Sequence, residues 1–332
     1  MGKMKIAVIG DGGWGTTLAV LLDKRGFKVS LWGAFKDYVK KLDTKRVNTK
    51  FLPGIKIPKT IFITSDLKTA VCGADLILFA VPSQYMRSVL KQLIKIDLSP
   101  KTCFLSAAKG IESATLMRMS EVIVDVLGDV NIAVLSGPTI SHEVSRNMPT
   151  TVVVASKDEA LAKHIQHIFM TNDFRVYTST DVIGVELGGS LKNVIAIAAG
   201  ILDGLKLGAN TKAALLTRGL VEISRLGISA GAKKETFYGI SGLGDLVTTC
   251  ISKYGRNRWF GEQIGKGKKP KNILSNTEMV VEGVITAKTA YELTKKYRVE
   301  MPIAEQVYEV IYKGKPPRKA MQDLMARSPK AE

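Results

Sequence analysis

Short apolar runs alternate with longer amphipathic segments along the first 180 residues. The runs are rich in apolar residues, and the first is typical of a strand buried in a parallel sheet. They lie at residues 5–10, 28–32, 61–64, 74–81, 102–107, 131–136, 150–155 and 174–177. Residues 16–25 have apolar residues at helical spacing, which predicts a helix, and helix-length segments lie between other runs at residues 83–96, 115–127 and 158–170. Strands that alternate with helices indicate a doubly wound α/β sheet.

The pattern changes near residue 180, and from there to about residue 330 it is almost wholly helical. The predicted helices of this part are residues 182–205, 212–226, 257–266, 286–296 and 303–312. We therefore predict two domains, an α/β domain at residues 1–180 and an all-α domain at residues 181–332. The boundary has no Pro/Gly-rich linker, so we expect the domains to pack closely, with a catalytic cleft between them.

A glycine-rich turn follows the first predicted strand and precedes the first predicted helix. It reads Gly10-Asp11-Gly12-Gly13-Trp14-Gly15 and satisfies G-x-G-x-x-G. In a dinucleotide-binding turn the first glycine permits the tight bend, the second lets the backbone approach a pyrophosphate, and the third lets helix and strand pack closely. The bare pattern also fits a plain glycine turn. Its strand–turn–helix context favours a Rossmann-like domain in which Gly10, Gly12 and Gly15 bind the cofactor.

The end of the second predicted strand lacks the acid that usually binds the adenine ribose of such a cofactor. Residues 32–37 read WGAFKD, and Lys36 lies close to the strand end. Lys36 is either a contact for a 2′-phosphate or one more solvated lysine. The sequence therefore leaves NAD and NADP both open as the cofactor.

Lys192 interrupts an apolar predicted helix. Gly188, Gly189, Ala196 and Ala199 share its helical face. Glycine within a helix costs about 1 kcal/mol relative to alanine, so two in a row suggest that something approaches the backbone there. A lysine in such surroundings loses solvation, a setting in which lysines serve as general acids and bases. The alternative is a snorkelling surface lysine beside small residues that pack on another helix.

Charge and composition narrow the class of partner. The net charge is +18, and Lys and Arg number 24 against 15 Asp and Glu in residues 1–180 and again in residues 181–332. Without a basic tail or patch we expect no nucleic-acid partner, whereas an even positive field suits phosphorylated, anionic small molecules. Three widely spaced cysteines, Cys72, Cys103 and Cys250, indicate a reducing cytoplasm.

The sequence predicts no membrane span and no metal site. The longest apolar stretches, such as residues 75–82 and 194–202, are shorter than the roughly 18–20 residues that a span requires. The N-terminal segment runs straight into the first strand without a signal-peptide cleavage site. The three histidines, His142, His164 and His167, have no further metal-ligating residues near them at the spacing of a metal site.

Ordered motifs along the chain carry a family resemblance. Residues 189–210, GSLKNVIAIAAGILDGLKLGAN, resemble the signature of NAD(P)-dependent glycerol-3-phosphate dehydrogenases. The glycine-rich start at residues 10–19 (GDGGWGTTLA) is similar to theirs. Six further loops match in the same order: residues 80–84 (AVPSQ), 109–112 (KGIE), 135–139 (LSGPT), 242–246 (GLGDL), 255–258 (GRNR) and 281–283 (VEG). The resemblance covers nearly the whole chain.

The resemblance implies a role for each matching residue. Lys192 resembles the general acid/base that protonates the ketone oxygen. Asp245 resembles the residue that binds the substrate hydroxyl and orients that lysine. Lys109 resembles a residue at the junction of cofactor and substrate. These three are the predicted catalytic residues, and they are also predicted substrate contacts. The other predicted substrate contacts are Gly137, Thr139, Gly255, Arg256 and Asn257. The other implied cofactor contacts are Gly13, Trp14, Ser141, Arg256, Val280 and Glu282, with Lys109 shared.

Four of these residues depart from the family pattern or have an alternative interpretation. Gly13 and Gly255 stand where relatives often have serine, which leaves only backbone donors there. Arg256 and Asn257, at a predicted helix start, supply the guanidinium and amide donors that a phosphate dianion requires. Arg256 could equally be one charge of a solvated basic run. Asp245, in a glycine-flanked loop, could equally be a turn former or helix cap.

The sequence therefore predicts a reversible hydride transfer between dihydroxyacetone phosphate and sn-glycerol 3-phosphate, with NAD or NADP as cofactor. The resemblance implies that the physiological direction is reduction, which supplies glycerol 3-phosphate for phospholipid synthesis, and it is compatible with a homodimer. The alternatives are a hydroxy-acid dehydrogenase of the same architecture and a non-catalytic dinucleotide-binding module.

Overall fold

A computed structural model describes residues 3–278, 280–329 and 331; Met1 and Gly2 of the N-terminal segment discussed above lie outside the described residues. The chain divides into two compact units. The first consists of Met1–Lys109 and Met117–Val182, and the second of Gly110–Leu116 and Ile183–Glu332. The division after Val182 lies two residues from the predicted boundary. The segment Gly110–Leu116 belongs to the second unit, which the sequence pattern did not indicate.

The first unit is built on one eight-stranded sheet in the order β3-β2-β1-β4-β5-β6-β7-β8. The strands are β1 (Lys5–Ile9), β2 (Lys28–Trp32), β3 (Phe62–Thr64), β4 (Leu76–Phe79), β5 (Cys103–Ser106), β6 (Ile132–Ser136), β7 (Thr150–Ala155) and β8 (Phe174–Ser179). All neighbouring pairs are parallel except β6 and β7, which pair antiparallel. The chain order reverses between β1 and β4, the switch point at which such sheets bind ligands.

Both faces of this sheet are covered, as the apolar run of the first strand predicted. In β1, Ile6 and Val8 belong to one buried cluster, while Ala7 and Ile9 belong to another. The helices of this unit are α1 (Gly13–Lys24), α2 (Lys36–Lys45), α3 (Leu67–Val71), α4 (Met86–Leu93), α5 (Met119–Leu127), α6 (Ser141–Val144) and α7 (Glu159–Phe169), with a 3₁₀ turn at Ser83–Tyr85. Helix α2 was not predicted, because only Val39 and Leu42 of its ten residues are buried.

The second unit is helical over its described residues. Its helices are α8 (Val182–Gly204), α9 (Ala209–Ser229), α10 (Lys234–Tyr238), α11 (Asp245–Ile251), α12 (Arg256–Gly265), α13 (Pro270–Ser275), α14 (Glu282–Tyr297), α15 (Pro302–Tyr312) and α16 (Pro317–Met325). A π-helical turn, Ile240–Gly244, leads directly into α11.

Helix α8 forms the centre of the second unit. By length and mean hydropathy it alone among the described residues could cross a membrane, but 83% of its most apolar window is buried inside the structure. It contacts α12 through glycines on both helices. A Cβ on Gly200 would lie 1.9 Å from the Arg258 carbonyl oxygen, and one on Gly261 would lie 2.0 Å from the Ile197 carbonyl oxygen. The two backbones therefore touch, and the position of α12 is fixed against α8.

Candidate functional site

The glycine-rich turn joins β1 to α1 and leaves one side of its backbone open. Gly10 has φ of +123°, which favours glycine, and a Cβ on Gly15 would lie 1.8 Å from the Gly10 carbonyl oxygen. These two glycines are required by the fold itself. A Cβ on Gly12, by contrast, would meet no atom within 4 Å. The turn thus offers open backbone at the start of an α-helix, which fits the pyrophosphate of a dinucleotide.

The residues beside this turn are held by hydrogen bonds from α1. The Thr17 hydroxyl lies 2.8 Å from the carbonyl oxygen of Gly13 and 3.3 Å from that of Ser141, the first residue of α6. A Cβ on Gly13 would lie 2.6 Å from the Phe51 carbonyl oxygen, so the close approach of that backbone favours glycine at this position. The Trp14 indole Nε1 is buried and has no hydrogen-bond partner within the described part of the chain.

Lys109 links the carboxyl ends of β5 and β6. Its Nζ donates to the Gly137 carbonyl oxygen at 2.6 Å and to the Thr139 hydroxyl at 2.8 Å. Gly137, which follows β6, has φ of +138° and so favours glycine. The structure thus brings these three predicted site residues together at the end of the sheet where ligands of this fold bind.

Lys192 and Asp245 form an ion pair inside the second unit. The side-chain amino group donates to the Asp245 carboxylate, and only 6% and 1% of the two side chains are exposed. Lys192 is therefore not the snorkelling surface lysine of the alternative interpretation. It also donates to the Thr249 hydroxyl at 2.7 Å, and that hydroxyl in turn donates to the Asp245 backbone carbonyl at 2.6 Å. Thr249 was not predicted from the sequence; it lies one helical turn after Asp245 in α11, and only the fold brings it to Lys192.

A glycine in α8 allows this pair to form. A Cβ on Gly188 would lie 2.8 Å from the Ser241 carbonyl oxygen in the π-helical turn. The helical glycines were expected to admit something close to the backbone, and at Gly188 this is the turn that leads into Asp245. Because Gly188 and Lys192 are four residues apart, they share the face of α8 on which the turn packs.

The start of α12 presents an exposed arginine. Arg256 is the first residue of the helix and Gly255 is its N-cap. The Arg256 guanidinium makes no hydrogen bond or ion pair with the residues that the structure describes. Desolvation by neighbouring atoms lowers the pKa of Arg256, and the charge of Glu282 acts in the opposite direction. The first backbone N–H groups of a helix lack intrahelical acceptors. Free guanidinium and N–H donors therefore lie together, as a phosphate requires.

The side chain of Asn257 makes two hydrogen bonds inside the second unit. It is buried, its Nδ2 donates to the Asn193 Oδ1 at 2.9 Å, and its Oδ1 accepts from the Gly283 N–H at 2.9 Å. It thereby joins α8, α12 and the start of α14. Asn193, next to the predicted lysine, was not identified from sequence.

The remaining predicted cofactor contacts lie at helix starts. Glu282 is the first residue of α14, half-buried, and Val280 lies two residues before it in the preceding segment. Lys36 is the first residue of α2, and it is exposed. Across residues 3–278, 280–329 and 331 there is no group of three or more His, Cys, Asp or Glu residues that could hold a metal ion.

Comparison with known proteins identifies the family. The family model described as NAD-dependent glycerol-3-phosphate dehydrogenase N-terminus matches residues 5–162, and the corresponding C-terminus model matches residues 181–322. The chain belongs to the NAD-dependent glycerol-3-phosphate dehydrogenase family. It is 50% identical to a glycerol-3-phosphate dehydrogenase (NAD(P)+) of Geobacter sulfurreducens over 331 residues, which cover 99% of this chain and 98% of the relative.

Solved structures agree with this assignment. A crystal structure of glycerol-3-phosphate dehydrogenase from Coxiella burnetii superposes with a TM-score of 0.94 at 40% identity, covering 98% of this chain and 99% of that chain. The glycerol-3-phosphate dehydrogenase of Saccharomyces cerevisiae gives a TM-score of 0.81 at 28% identity, covering 98% of this chain and all of that chain. The predicted family, the predicted fold class and the nicotinamide cofactor class are thereby confirmed.

Proposed function

We propose that this protein reduces dihydroxyacetone phosphate to sn-glycerol 3-phosphate, reversibly, with NADH or NADPH. The observation that carries the proposal is the buried Lys192–Asp245 ion pair in a member of this family. A buried ion pair is weak evidence for stability, because desolvation offsets much of its attraction. Buried ionisable groups with a specific charge partner are instead candidates for a functional site.

Lys192 is the proton donor of the proposed reaction. A bound nicotinamide supplies the hydride that the carbonyl carbon receives. The Lys192 ammonium donates a proton to the carbonyl oxygen, and its charge stabilises the alkoxide that develops there. Asp245 and Thr249 accept hydrogen bonds from the same amino group and fix its direction. After the reaction the neutral lysine regains its proton from solvent.

Arg256 and the start of α12 bind the substrate phosphate in this proposal. The guanidinium offers a planar fork to two phosphate oxygens, and the N–H groups of Arg256 and Asn257 add donors at the positive end of the helix. Gly255 leaves the N-cap without a side chain. The interaction network of Asn257 holds α12 against α8, the helix that carries Lys192.

The glycine-rich turn, Gly10 to Gly15 with Trp14, binds the cofactor in this proposal. Lys109, Gly137 and Thr139 contact the substrate, and Lys109 also contacts the cofactor. Ser141, Lys36, Arg256, Val280 and Glu282 are further cofactor contacts. We also assign the physiological direction to reduction for phospholipid synthesis, the location to the cytoplasm, and the assembly to a homodimer. The exposed free thiol of Cys72 is compatible with a reducing compartment.

A substrate comparison tests the function. Purified protein is assayed for oxidation of NADH and of NADPH with dihydroxyacetone phosphate, with unphosphorylated dihydroxyacetone and with a panel of 2-keto acids. We expect turnover with the phosphorylated ketone, and far less with dihydroxyacetone at the same concentration. Equal rates on the two ketones would contradict the phosphate site. Turnover only with a keto acid would indicate a hydroxy-acid dehydrogenase, and cofactor binding without any turnover would indicate a binding module.

A further inference from the structure

The side chain of Asp11 reaches the end of β2, although Asp11 belongs to the glycine-rich turn. A Cβ on Gly33, the residue after β2, would lie 2.1 Å from the Asp11 Oδ2 and 2.5 Å from its Cγ. The carboxyl group therefore fills the space that a side chain at position 33 would occupy. An acid thus stands at the end of β2, where the sequence has none.

A buried asparagine holds Asp11 in this place. Asn48 is fully buried, and its Nδ2 donates to the Asp11 carbonyl oxygen at 2.8 Å and to the Thr16 hydroxyl at 2.7 Å. The Asn48 Oδ1 in turn accepts from the Tyr38 hydroxyl at 2.6 Å and from the Phe51 N–H at 3.0 Å. Helix α2 and the segment after it are thereby tied to the glycine-rich turn.

One oxygen of this carboxyl group lacks a hydrogen-bond donor among the described residues. Oδ2 is buried and accepts no hydrogen bond from the described residues, while the residue as a whole is half-buried. Burial raises the pKa of Asp11 to about 6, so the group is mostly ionised at neutral pH. A buried acceptor without a donor costs free energy. Because Oδ2 itself has no exposed surface, a ligand would reach the carboxyl group through the part of Asp11 that stays exposed.

We propose that the Asp11 carboxylate accepts a hydrogen bond from the adenine ribose of the cofactor and repels a 2′-phosphate, so that this protein prefers NADH over NADPH. In dinucleotide-binding folds an acid at the end of the second strand performs this task. The inference rests on the proposed function only for the identity of the cofactor. It assigns the preference for NADH over NADPH to Asp11. Lys36 is exposed at the start of α2, where solvent and salt screen its charge.

Direct binding tests this assignment without any ketone. NADH and NADPH are titrated into the full protein by fluorescence, and ADP and 2′,5′-ADP by calorimetry. For the wild type we expect NADH and ADP to bind at least about 10-fold tighter than their 2′-phosphorylated counterparts, the scale of one hydrogen bond to a charged group. In the isosteric Asp11→Asn variant this ratio should fall about 10-fold, with tighter binding of NADPH.

Two further variants sharpen the result. Asp37→Asn removes an exposed charge from the first turn of α2, and it should leave the ratio unchanged. Lys36→Ala tests the competing assignment. The inference is overturned if the wild type binds both dinucleotides equally, if Asp11→Asn retains the wild-type ratio, or if Lys36→Ala alone changes it. Failure of ketone reduction with the ratio intact would overturn only the proposed function, whereas failure to bind either dinucleotide would overturn both.

Discussion

At the scale of single residues, the second unit buries one ion pair and leaves one arginine of the proposed site exposed. Lys192 and Asp245 lie inside, where each satisfies the other, and Thr249 supplies one further hydrogen bond. Arg256 lies outside with its donors free. A buried ammonium with fixed direction suits proton transfer, and an exposed guanidinium at a helix start suits capture of a dianion.

We expect Arg256→Ala to weaken binding of dihydroxyacetone phosphate by about 2–3 kcal/mol, the scale of a lost charge-assisted hydrogen bond. Residual activity on unphosphorylated dihydroxyacetone should change little, because that ketone has no phosphate for Arg256 to bind. The measurement is kcat/KM for both ketones. Arg318→Ala, at another exposed helix start, is the matched control. An equal loss on both ketones would show that Arg256 does not bind the phosphate.

The sequence predicted the identity of these residues better than their contacts. Lys192 stood out because charge is rare in an apolar helix, and Asp245 and Arg256 followed from the family resemblance. Thr249 could not be predicted, because its hydroxyl is one of many in the chain and only folding brings it to Lys192. The contact of Asn257 with the phosphate stays a prediction, and its place between three helices could not be predicted, because it depends on residues distant in sequence.

At the scale of elements, glycines set the contact between α8 and α12. Gly200 and Gly204 of α8 face Gly261 and Gly265 of α12, and a Cβ on any of them would lie within 2.4 Å of a carbonyl oxygen across the contact. Since α8 carries Lys192 and α12 begins at Arg256, this crossing holds the proposed proton donor and the proposed phosphate site in one arrangement.

We expect Gly200→Ala to destabilise the protein by about 1–3 kcal/mol, because the added methyl group forces the two backbones apart. The KM for dihydroxyacetone phosphate should rise with it, while NADH affinity stays near that of the wild type. The measurements are chemical denaturation and steady-state kinetics. Gly208→Ala is the control, since a Cβ there would meet nothing within 4 Å. Equal stability of the two variants would contradict the packing argument.

Elements were predicted where they carry enough buried apolar residues. All eight strands and the five long helices of the second unit were anticipated, with ends that differ by a few residues. Helices α2 and α16 were not predicted because they have too few buried positions to produce a pattern, and α10, α11 and α13 are five to seven residues long. The membership of Gly110–Leu116 in the second unit depends on contacts distant in sequence, which no local pattern reports.

At the scale of the whole molecule, a buried acid couples folding to pH. Glu222 of α9 is 4% exposed, and its carboxylate accepts from the Ile303 N–H at 2.8 Å and the Ala304 N–H at 3.3 Å at the start of α15. Burial raises the pKa of Glu222 to about 7 from its ordinary value of 4.5. Between these two values the folded state binds more protons than the unfolded state, so the free energy of unfolding falls as pH rises.

Glu222→Gln should remove this pH dependence, because the amide keeps an acceptor but does not titrate. Relative to the variant, the wild type should lose about 1–3 kcal/mol of stability between pH 4.5 and pH 8. Denaturation curves of both proteins at these two pH values measure the change. If the wild type and the variant differ in stability by the same amount at both pH values, Glu222 does not titrate in this range.

The apolar character of α8 and the net charge of the chain are properties of the whole molecule. Helix α8 has the length and hydropathy of a membrane span, yet most of it is buried among other helices of the second unit. Its apolar character therefore reflects a core position. The excess of positive charge is spread evenly along the chain, and it fits a molecule that attracts small anions.

The most direct test of the account is the turnover of a Lys192→Met variant. Methionine keeps an unbranched apolar stem in the buried site but removes the proton and the charge. Turnover with dihydroxyacetone phosphate should fall by at least about 100-fold, the scale of general acid catalysis, while NADH affinity and melting temperature stay near those of the wild type. If the variant keeps more than about a tenth of wild-type turnover, the loss is below roughly 1.4 kcal/mol and Lys192 is not the proton donor.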